Sequence, residues 1–232
     1  MKTIIVTVTT DLVTDQRVHK VSQSLHKSGY KVLLVGRKKK DSLPLAQRDY
    51  DTKRFKLFFE KTALFYINYN LRLFLFLLFT KADILLANDL DTLLPVFLVS
   101  KLKGIPIIYD NHEYFTATPE LTGRPVVTYI WKSIERFIFP KLSFVYTVND
   151  SIKNLFEDEY GVKVEVIRNI PIKNLQPASY DLPIDLPDDK KIIIYQGSGI
   201  NKDRGAEELV ESIQYLENIL LLIVGSGDVI NV

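Results

Sequence analysis

Short runs of apolar, β-branched residues alternate with helix-like patterns along this 232-residue chain. Between the first two runs, residues 16–28 place Val18, Val21 and Leu25 on one side, as an amphipathic helix does. Six runs have the length of strands, and several are apolar on both faces: residues 3–9, 31–36, 84–87, 105–109, 143–148 and 164–167. Strands buried on both faces and joined by helices predict an α/β fold with a parallel sheet.

The pattern changes at residues 171–189, where four prolines interrupt any regular element and the apolar periodicity disappears. A fresh strand-helix-strand pattern follows, with strands at residues 191–195 and 219–224 and a helix at 206–216. We therefore predict an N-terminal domain over residues 1–170, a linker over 171–189 and the start of a second domain over 190–232. Two strands and one helix bury little apolar surface, so we expect this second domain to be incomplete.

Composition narrows the functional classes. The formal net charge of +2 argues against a strongly basic nucleic-acid binder, so we expect no nucleic-acid partner. The absence of cysteine excludes disulfides and thiolate sites, and three scattered histidines make no zinc pattern, so we expect no bound metal. The first eight residues alternate apolar residues with threonine and do not resemble a secretory signal, which favours a cytoplasmic protein.

Residues 63–79 form the most apolar segment of the chain, and we expect them to be helical. Three polar residues interrupt the segment, so its continuous apolar part is shorter than the roughly 20 residues that a spanning helix needs. The helix is apolar nearly all round, which predicts burial, or contact with a membrane surface or a partner protein. The basic stretches 37–40 and 53–56 are either solvated faces or contacts with anionic lipid at the inner face of a membrane.

Polar residues follow the predicted strands of the first domain, and the carboxyl ends of parallel strands are where ligands bind. The strongest cluster is Asp110, His112 and Glu113, because an imidazole and carboxylates directly after a buried strand can hydrogen-bond sugar hydroxyls and move protons. The alternative is that Asp110 or Asn111 caps the next helix while His112 is a satisfied interior polar group. Capping explains the cluster of Asn88, Asp89 and Asp91 equally well, and Asn149 can cap the helix that follows it. The remaining candidates, which we assign to the acceptor side, are Asp11, Asp15, Arg17, Asn88, Asp89 and Asn149.

The second domain offers a glycine loop between a strand and a helix. Backbone amides there, together with the guanidinium of Arg204, suit a diphosphate. Lys202 stands where a G-x-G-x-x-G dinucleotide motif needs glycine, and a plain surface turn is the alternative. The donor-side candidates are Gly197, Ser198, Gly199, Arg204, Gly225 and Gly227.

The order and spacing of eight motifs resemble the retaining glycosyltransferases of group 1 (family 4). These enzymes have the GT-B architecture of two facing Rossmann-like domains. The motifs are DQRV at 15–18, NDLDTLL at 88–94, YDNHEY at 109–114, IER at 134–136, YTVNDS at 146–151, IRNIP at 167–171, YQGSGINKDRG at 195–205 and VGSGD at 224–228.

The resemblance implies transfer of a sugar, with retention, from a nucleotide diphosphate sugar to a glycan or lipid-linked acceptor in cell-surface polysaccharide synthesis. It implies that Arg204, Gly197 and Gly199 hold the donor diphosphate, that His112 and Asp110 line the reaction centre, and that Glu113 is a secondary candidate there. The family's late pair of glutamates would lie beyond Val232, so we expect this chain alone to be inactive. A nucleotide-sugar epimerase of the same architecture and a non-catalytic binding remnant stay open as alternatives.

Overall fold

The computed structural model describes residues 1–118, 121–171, 184–197, 199–202, 204–227 and 229–230. Its contacts divide the chain into two compact units, Met1–Pro171 and Ile172–Val232. Each unit contains a parallel sheet whose strands are joined by helices. The α/β fold class predicted from the sequence is therefore confirmed, and the second unit holds one strand-helix-strand step of a second Rossmann-like domain.

Seven parallel strands form the sheet of the first unit. They are β1 (Thr3–Asp11), β2 (Lys31–Lys38), β3 (Asp51–Lys56), β4 (Ile84–Asn88), β5 (Ile107–Asp110), β6 (Val145–Thr147) and β7 (Val164–Val166). Their spatial order is β3-β2-β1-β4-β5-β6-β7. The order reverses direction between β1 and β4, and open sheets of this kind bind ligands beyond the carboxyl ends of the strands at such a point.

Five helices cover the two faces of this sheet: α1 (Gln16–Lys27), α2 (Thr62–Phe79), α3 (Leu90–Lys103), α4 (Pro125–Ile138) and α5 (Asp150–Tyr160). Alternate residues of β1 point to opposite faces, because side chains in a strand alternate. Ile4 and Val6 join the apolar cluster that contains Val18 of α1. Ile5 joins the larger cluster, to which α2, α3, α4 and α5 all contribute buried side chains.

Strand β3 was missed in the sequence, where residues 53–56 read as a solvated basic run. The structure pairs the strand in parallel with β2 over six residues, from Asp51 opposite Leu33 to Lys56 opposite Lys38. It is an edge strand, and charged side chains are common at sheet edges because they oppose pairing with other chains. Only Phe55 is buried, so the alternation that identifies a strand is too weak to recognise.

Helix α2 confirms the predicted helix over residues 63–79. Phe65, Tyr69, Leu73 and Leu77 are buried at a spacing of four residues, and the Tyr69 hydroxyl donates to the backbone carbonyl of Val8 at 2.5 Å. Within the described part of the chain, α2 is long and apolar enough to cross a membrane by length and composition, with a mean hydropathy of 1.4. In this structure one of its faces is packed in the core of the first unit.

The second unit consists of β8 (Lys191–Gly197), α6 (Ala206–Ser212) and β9 (Ile219–Gly225). The two strands pair in parallel along their whole length, from Lys191 opposite Ile219 to Gly197 opposite Gly225. The helix predicted over 206–216 ends earlier, and a 3₁₀ turn at Ile213–Tyr215 replaces its last part. Of the predicted linker, residues 172–183 lie outside the described residues.

Candidate active site

The carboxyl edge of the first sheet gathers charged side chains from four segments of the chain. Arg17 lies in the first turn of α1, which follows β1, and Asp89 directly follows β4. Asp110 is the last residue of β5, and His112 follows it by two positions. The structure therefore brings four of the residues predicted from the sequence into one cluster at the point where the strand order reverses.

Arg17 is the centre of this cluster. One of its guanidinium nitrogens lies 2.5 Å from Asp110 Oδ2, and the other lies 3.6 Å from Asp89 Oδ2. The Asp110 side chain is only 1% exposed. The hydroxyl of Tyr146 donates to the same Asp110 oxygen at 2.8 Å. Asp110 is therefore held behind Arg17, with two donors on one carboxylate oxygen.

Tyr146 is a member of this cluster that the sequence did not identify as a site residue. It lies in β6, opposite Asp110 of β5 in the parallel register. The sequence signals at this position were a tyrosine in a short strand and its place at the start of the motif YTVNDS. The residue facing it across the sheet follows from the pairing register, which the sequence does not show.

His112 is bound to the second carboxylate of the cluster. Its Nδ1 lies 2.5 Å from Asp89 Oδ1, and its side chain is 31% exposed, so one edge of the ring is accessible. Asp89 has a backbone φ of +61°, a conformation that costs a non-glycine residue about 1–3 kcal/mol and tends to occur at functional sites. Its N–H donates to the Asp110 carbonyl at 2.9 Å, which links the ends of β4 and β5.

The network changes the acidity of its members. Burial lowers the pKa of His112, but the close contact of its ring with Asp89 and the negative charge of Asp89 outweigh burial and raise that pKa above the ordinary value. The pKa of Asp110 is raised because burial outweighs the opposing effect of Arg17. Burial lowers the pKa of Arg17, but the negative charges of Asp110, Asp89 and Asp15 outweigh burial and raise that pKa above the ordinary value. The site therefore favours a protonated imidazole and a charged guanidinium.

Asp91 is a second buried acid beside the cluster. It lies in the first turn of α3, and the Thr9 hydroxyl donates to its Oδ2 at 2.5 Å. Burial and the negative charge of Asp89 raise the pKa of Asp91 to about 7. This carboxyl therefore gains or loses its proton near neutral pH, next to the Asp89–His112 pair.

The other candidates of the first unit lie outside this network of contacts. Asp15 and Asn149 cap helices: Asp15 Oδ1 accepts from Val18 N at 2.9 Å, and Asn149 Oδ1 accepts from Ile152 N at 2.8 Å. The sequence predicted capping as a use of Asn149, and the structure adds the same use for Asp15, whose Oδ2 also accepts from the Thr10 hydroxyl at 2.6 Å. Asn88 is fully buried and donates to the Thr7 carbonyl at 3.0 Å, which joins β4 to β1.

Asp11 is buried among other partners. It accepts a hydrogen bond from the Ser42 hydroxyl and lies 3.6 Å from the guanidinium of Arg54 on β3. Glu113 is half-buried one residue after His112, where its charge helps to raise the pKa of that histidine. The predicted roles of these residues stay predictions.

In the second unit, the two glycine loops pack against each other. The backbone N–H of Ile200 donates to Ser226 O at 3.0 Å, and the N–H of Ser226 donates to Gly197 O at 3.2 Å. A Cβ at Gly225 would lie 1.8 Å from Gly197 O, and one at Gly227 would lie 1.9 Å from Ile200 O. Both positions therefore require glycine for the close approach of the loops.

Gly197 and Gly199 have more space than these two glycines. A Cβ at either would meet its nearest atom at 3.7 or 3.8 Å, which is ordinary van der Waals contact. Arg204 is exposed, and its backbone carbonyl accepts from the Tyr195 hydroxyl at 3.0 Å. Ser198 lies outside the described residues. Among the residues that are described, no group of three or more His, Asp or Glu side chains is placed to hold a metal ion.

Comparison with known proteins supplies the family context of this site. The sequence model of a family described as Glycosyltransferase Family 4 matches residues 15–171, which is more than half of the chain and contains the whole charged network. No curated protein sequence matches the chain at a significant level.

Solved structures show the same fold at low sequence identity. Sucrose-phosphate synthase from Thermosynechococcus elongatus superposes with a TM-score of 0.69 and 13% identity, covering 99% of this chain and 63% of that one. Anabaena HepE, solved with UDP and glucose, gives 0.61 and 11%, covering 98% and 62%. A putative UDP-N-acetylglucosamine 2-epimerase from Listeria monocytogenes gives 0.58 and 10%, covering 98% and 63%. The chain thus spans somewhat less than two thirds of the length of these structures, which share its GT-B type of fold.

Proposed function

The chain belongs to Glycosyltransferase Family 4, and we propose on that basis that the whole protein transfers a sugar, with retention, from a nucleotide diphosphate sugar to a glycan or lipid-linked acceptor. We place this reaction in cell-surface polysaccharide synthesis, on the cytoplasmic side of a membrane with which the protein makes peripheral contact. The observation that carries the proposal is the buried charge network around Arg17, at the sheet edge where folds of this class bind ligands.

His112 is the group of this network best placed to meet a sugar. Its Nδ1 is occupied by Asp89, and its partly exposed ring keeps Nε2 for a ligand. Because Asp89 raises the pKa of His112, the ring holds its proton over a wider pH range and donates a hydrogen bond to a sugar hydroxyl. Asp110, which is almost inaccessible, acts through Arg17 by fixing the position of the guanidinium.

The donor side of the proposal rests on the second unit. There the exposed Arg204 binds the diphosphate. Gly197 and Gly199, which have free space beside their Cα atoms, let a phosphate approach the backbone. The requirement for glycine at Gly225 and Gly227 comes from loop packing, so these two residues support the loop that carries Gly197.

The transfer breaks the bond between the anomeric carbon and the diphosphate oxygen, and the electron pair leaves with the diphosphate. The acceptor hydroxyl oxygen forms the new bond to that carbon and gives its proton to the departing diphosphate. A guanidinium beside the leaving group stabilises the negative charge that develops on it. The resemblance also carries the expectation of a metal-independent reaction, which unchanged activity in EDTA would support.

Titration calorimetry on the full-length protein tests the proposal. A panel of uridine, guanosine and thymidine diphosphate sugars should include at least one ligand, and Arg204→Ala should weaken its binding by about tenfold or more, since a charge-assisted bond is lost. The matched control is Arg168→Ala, which removes an exposed arginine of the first unit. Absence of binding by every nucleotide and nucleotide sugar would contradict the proposal.

A nucleotide-sugar epimerase is the second candidate, because a putative epimerase is among the structures with the same fold. The two reactions differ in their need for an acceptor. The nucleotide sugar found to bind is incubated with the full-length protein and no acceptor, and proton NMR would show a new epimer of that sugar if the protein is an epimerase. An unchanged or slowly hydrolysed donor favours the transferase.

A further inference from the structure

Helix α2 has an exposed apolar stripe opposite its buried one. Leu64, Ile67, Leu71, Leu75 and Phe79 recur at spacings of three and four residues and are between 46% and 82% exposed. Residues at this spacing lie on one side of a helix. Contiguous exposed apolar surface of this kind marks an interaction site.

Helix α4 carries a second exposed apolar stripe. Val126, Tyr129, Ile130 and Phe137 are between 51% and 72% exposed, whereas Trp131 and Ile138 of the same helix are buried. Apolar residues therefore make up much of the exposed face of α4 as well as its buried face.

The two stripes belong to neighbouring helices. The rings of Tyr66 on α2 and Trp131 on α4 are 5.2 Å apart between centroids, in an edge-to-face arrangement. Both helices also pack on α3, in which nine residues are buried. We call the outer faces of the two helices the α2–α4 surface, which consists of the nine exposed apolar residues named above.

Among the described residues, most charges on and beside this surface are positive. Helix α2 contains no acidic residue, and Glu135, the single acidic residue of α4, has no exposed area. Two carboxylates close in sequence to α2 are engaged: Glu60 accepts from the backbone N–H of Lys40 and Asp83 from that of Thr3. The cations in or flanking the two helices are Lys61, Arg72, Lys81, Arg124, Arg136 and Lys141, whereas Lys132 of α4 is only 17% exposed and is paired with Glu135 and Glu159.

We propose that the α2–α4 surface lies on an anionic lipid bilayer, with its aliphatic and aromatic side chains among the headgroups and its flanking cations against lipid phosphates. Apolar stripes bordered by lysine and arginine are typical of helices that lie in the membrane interface. The inference rests on the proposed function for the reason to be at a membrane. The α2–α4 surface then takes the place of the basic stretch 37–40 as the main contact with the membrane, since Arg37 stacks on Phe65 and donates to the Glu60 carbonyl.

The polar groups of α2 favour lipid over a protein partner. Asn70 donates to the Tyr66 carbonyl at 2.9 Å, and Arg72 donates to the Lys56 carbonyl at 2.6 Å. These donors are therefore already engaged within the first unit. A surface of this composition suits a fluid apolar layer, which requires no directional partner.

Vesicle co-sedimentation tests the proposal, with no sugar nucleotide present, so that its outcome is independent of donor binding. The protein is mixed with vesicles of phosphatidylcholine alone or with about 30% phosphatidylglycerol, at low salt and in 0.5 M NaCl. We expect binding to the anionic vesicles that high salt weakens, because screening shortens the reach of the cations.

The variant Ile67→Gln/Leu71→Gln should weaken this binding by about tenfold or more, since two apolar side chains leave the interface while glutamine preserves helix propensity. The matched control is Leu43→Gln/Leu155→Gln, which changes two exposed leucines outside the surface and should bind as the parent does. If circular dichroism shows Ile67→Gln/Leu71→Gln to be unfolded, the variant Lys61→Glu/Lys81→Glu takes its place in the vesicle assay, and we expect its vesicle binding to be weakened by a similar factor.

Failure of the parent protein to bind anionic vesicles overturns the proposal. So does equal binding by a folded surface variant. A dimer in sedimentation velocity that Ile67→Gln/Leu71→Gln dissociates, without vesicle binding, would instead make this face an interface between two copies of the chain.

Discussion

The pair of Arg17 and Asp110 offers the sharpest test of the charge network, through the substitution Arg17→Met. Methionine keeps most of the apolar volume of the arginine stem and removes the guanidinium. The substitution takes away the 2.5 Å contact to Asp110 and the 3.6 Å contact to Asp89. Asp110 then keeps a single donor, the Tyr146 hydroxyl, at a position that is 1% exposed.

Removing one partner of a buried ion pair costs about 3–5 kcal/mol, because the other charge stays buried without compensation. Two features place Arg17→Met at the lower end of this range. Tyr146 still stabilises the carboxylate, and the raised pKa of Asp110 makes protonation an accessible way to neutralise it. We therefore expect a loss of about 3 kcal/mol in the free energy of unfolding at pH 8.

The loss should depend on pH in a definite direction. Burial already raises the pKa of Asp110, and Arg17 is the group that opposes this effect most strongly, so the pKa rises further in the variant. In the unfolded chain the carboxyl is ionised above its ordinary value near 3.8. The folded variant must either hold a proton or bury a bare charge above that pH, so its stability falls as pH rises. The effect of the substitution should be smaller at pH 4.5 than at pH 8.

Urea unfolding followed by the fluorescence of Trp131 measures this loss in the first unit, because Trp131 is the only tryptophan of the chain. The matched control is Arg168→Met, which breaks an Arg–Asp pair at 3.2 Å whose side chains are 64% and 68% exposed. Exposed pairs contribute little, so the control should lose less than about 1 kcal/mol at both pH values.

The double variant Arg17→Met/Asp110→Asn separates the charge effect from a loss of packing. Without the carboxylate no bare charge is buried, so the double variant should be more stable than Arg17→Met at pH 8. If Arg17→Met costs no more than Arg168→Met, or if its cost is the same at pH 4.5 and pH 8, the buried ion pair does not have the energetic role that we assign to it.

Three further experiments test other parts of the structure. Asp91→Asn should gain stability relative to the parent between pH 5 and pH 8, because the parent loses stability as it deprotonates a buried acid with a pKa of about 7; parallel pH curves would contradict this. Gly225→Ala should lower the melting temperature of the second unit, since its Cβ would meet Gly197 O at 1.8 Å, whereas Gly197→Ala should be tolerated. Lys132→Met should cost about 3 kcal/mol in urea unfolding, because it leaves the fully buried Glu135 without its cation, and a loss under about 1 kcal/mol would argue against that pair.

Local patterns made much of the fold predictable. The apolar runs that predicted six strands of the first unit are strands in the structure, with ends that move by one or two residues. Their composition is decisive because a parallel strand is buried on both faces. Strand β3 could not be predicted in this way, since four of its six residues are charged and it carries a single buried residue, Phe55.

The candidate site was predictable in position but not in its contacts. Strand ends rich in polar residues pointed to the carboxyl edge of the sheet, and Asp89, Asp110 and His112 lie at that edge in the structure, while their functional roles stay predictions. Asp110 has two partners: Arg17 is 93 positions away in sequence, and Tyr146 is 36 positions away. Pairs at such separations depend on strand order and register, which local patterns do not encode.

A polar residue at the end of a strand has two physical uses that look the same in sequence. It can cap the helix that follows, or it can receive a side chain from another element, and either use calls for a short residue with an oxygen acceptor. The structure separates the two by the origin of the donor. Asp15 and Asn149 accept from backbone N–H groups three positions later, and Asp15 also accepts from the hydroxyl of Thr10, only five positions earlier. Asp110 instead accepts from side chains of α1 and β6, which are 93 and 36 positions away in sequence. Only acceptors of the second kind couple the elements of the sheet edge, and we therefore expect substitutions at Asp110 to disturb His112 and its surroundings more than substitutions at Asp15 or Asn149.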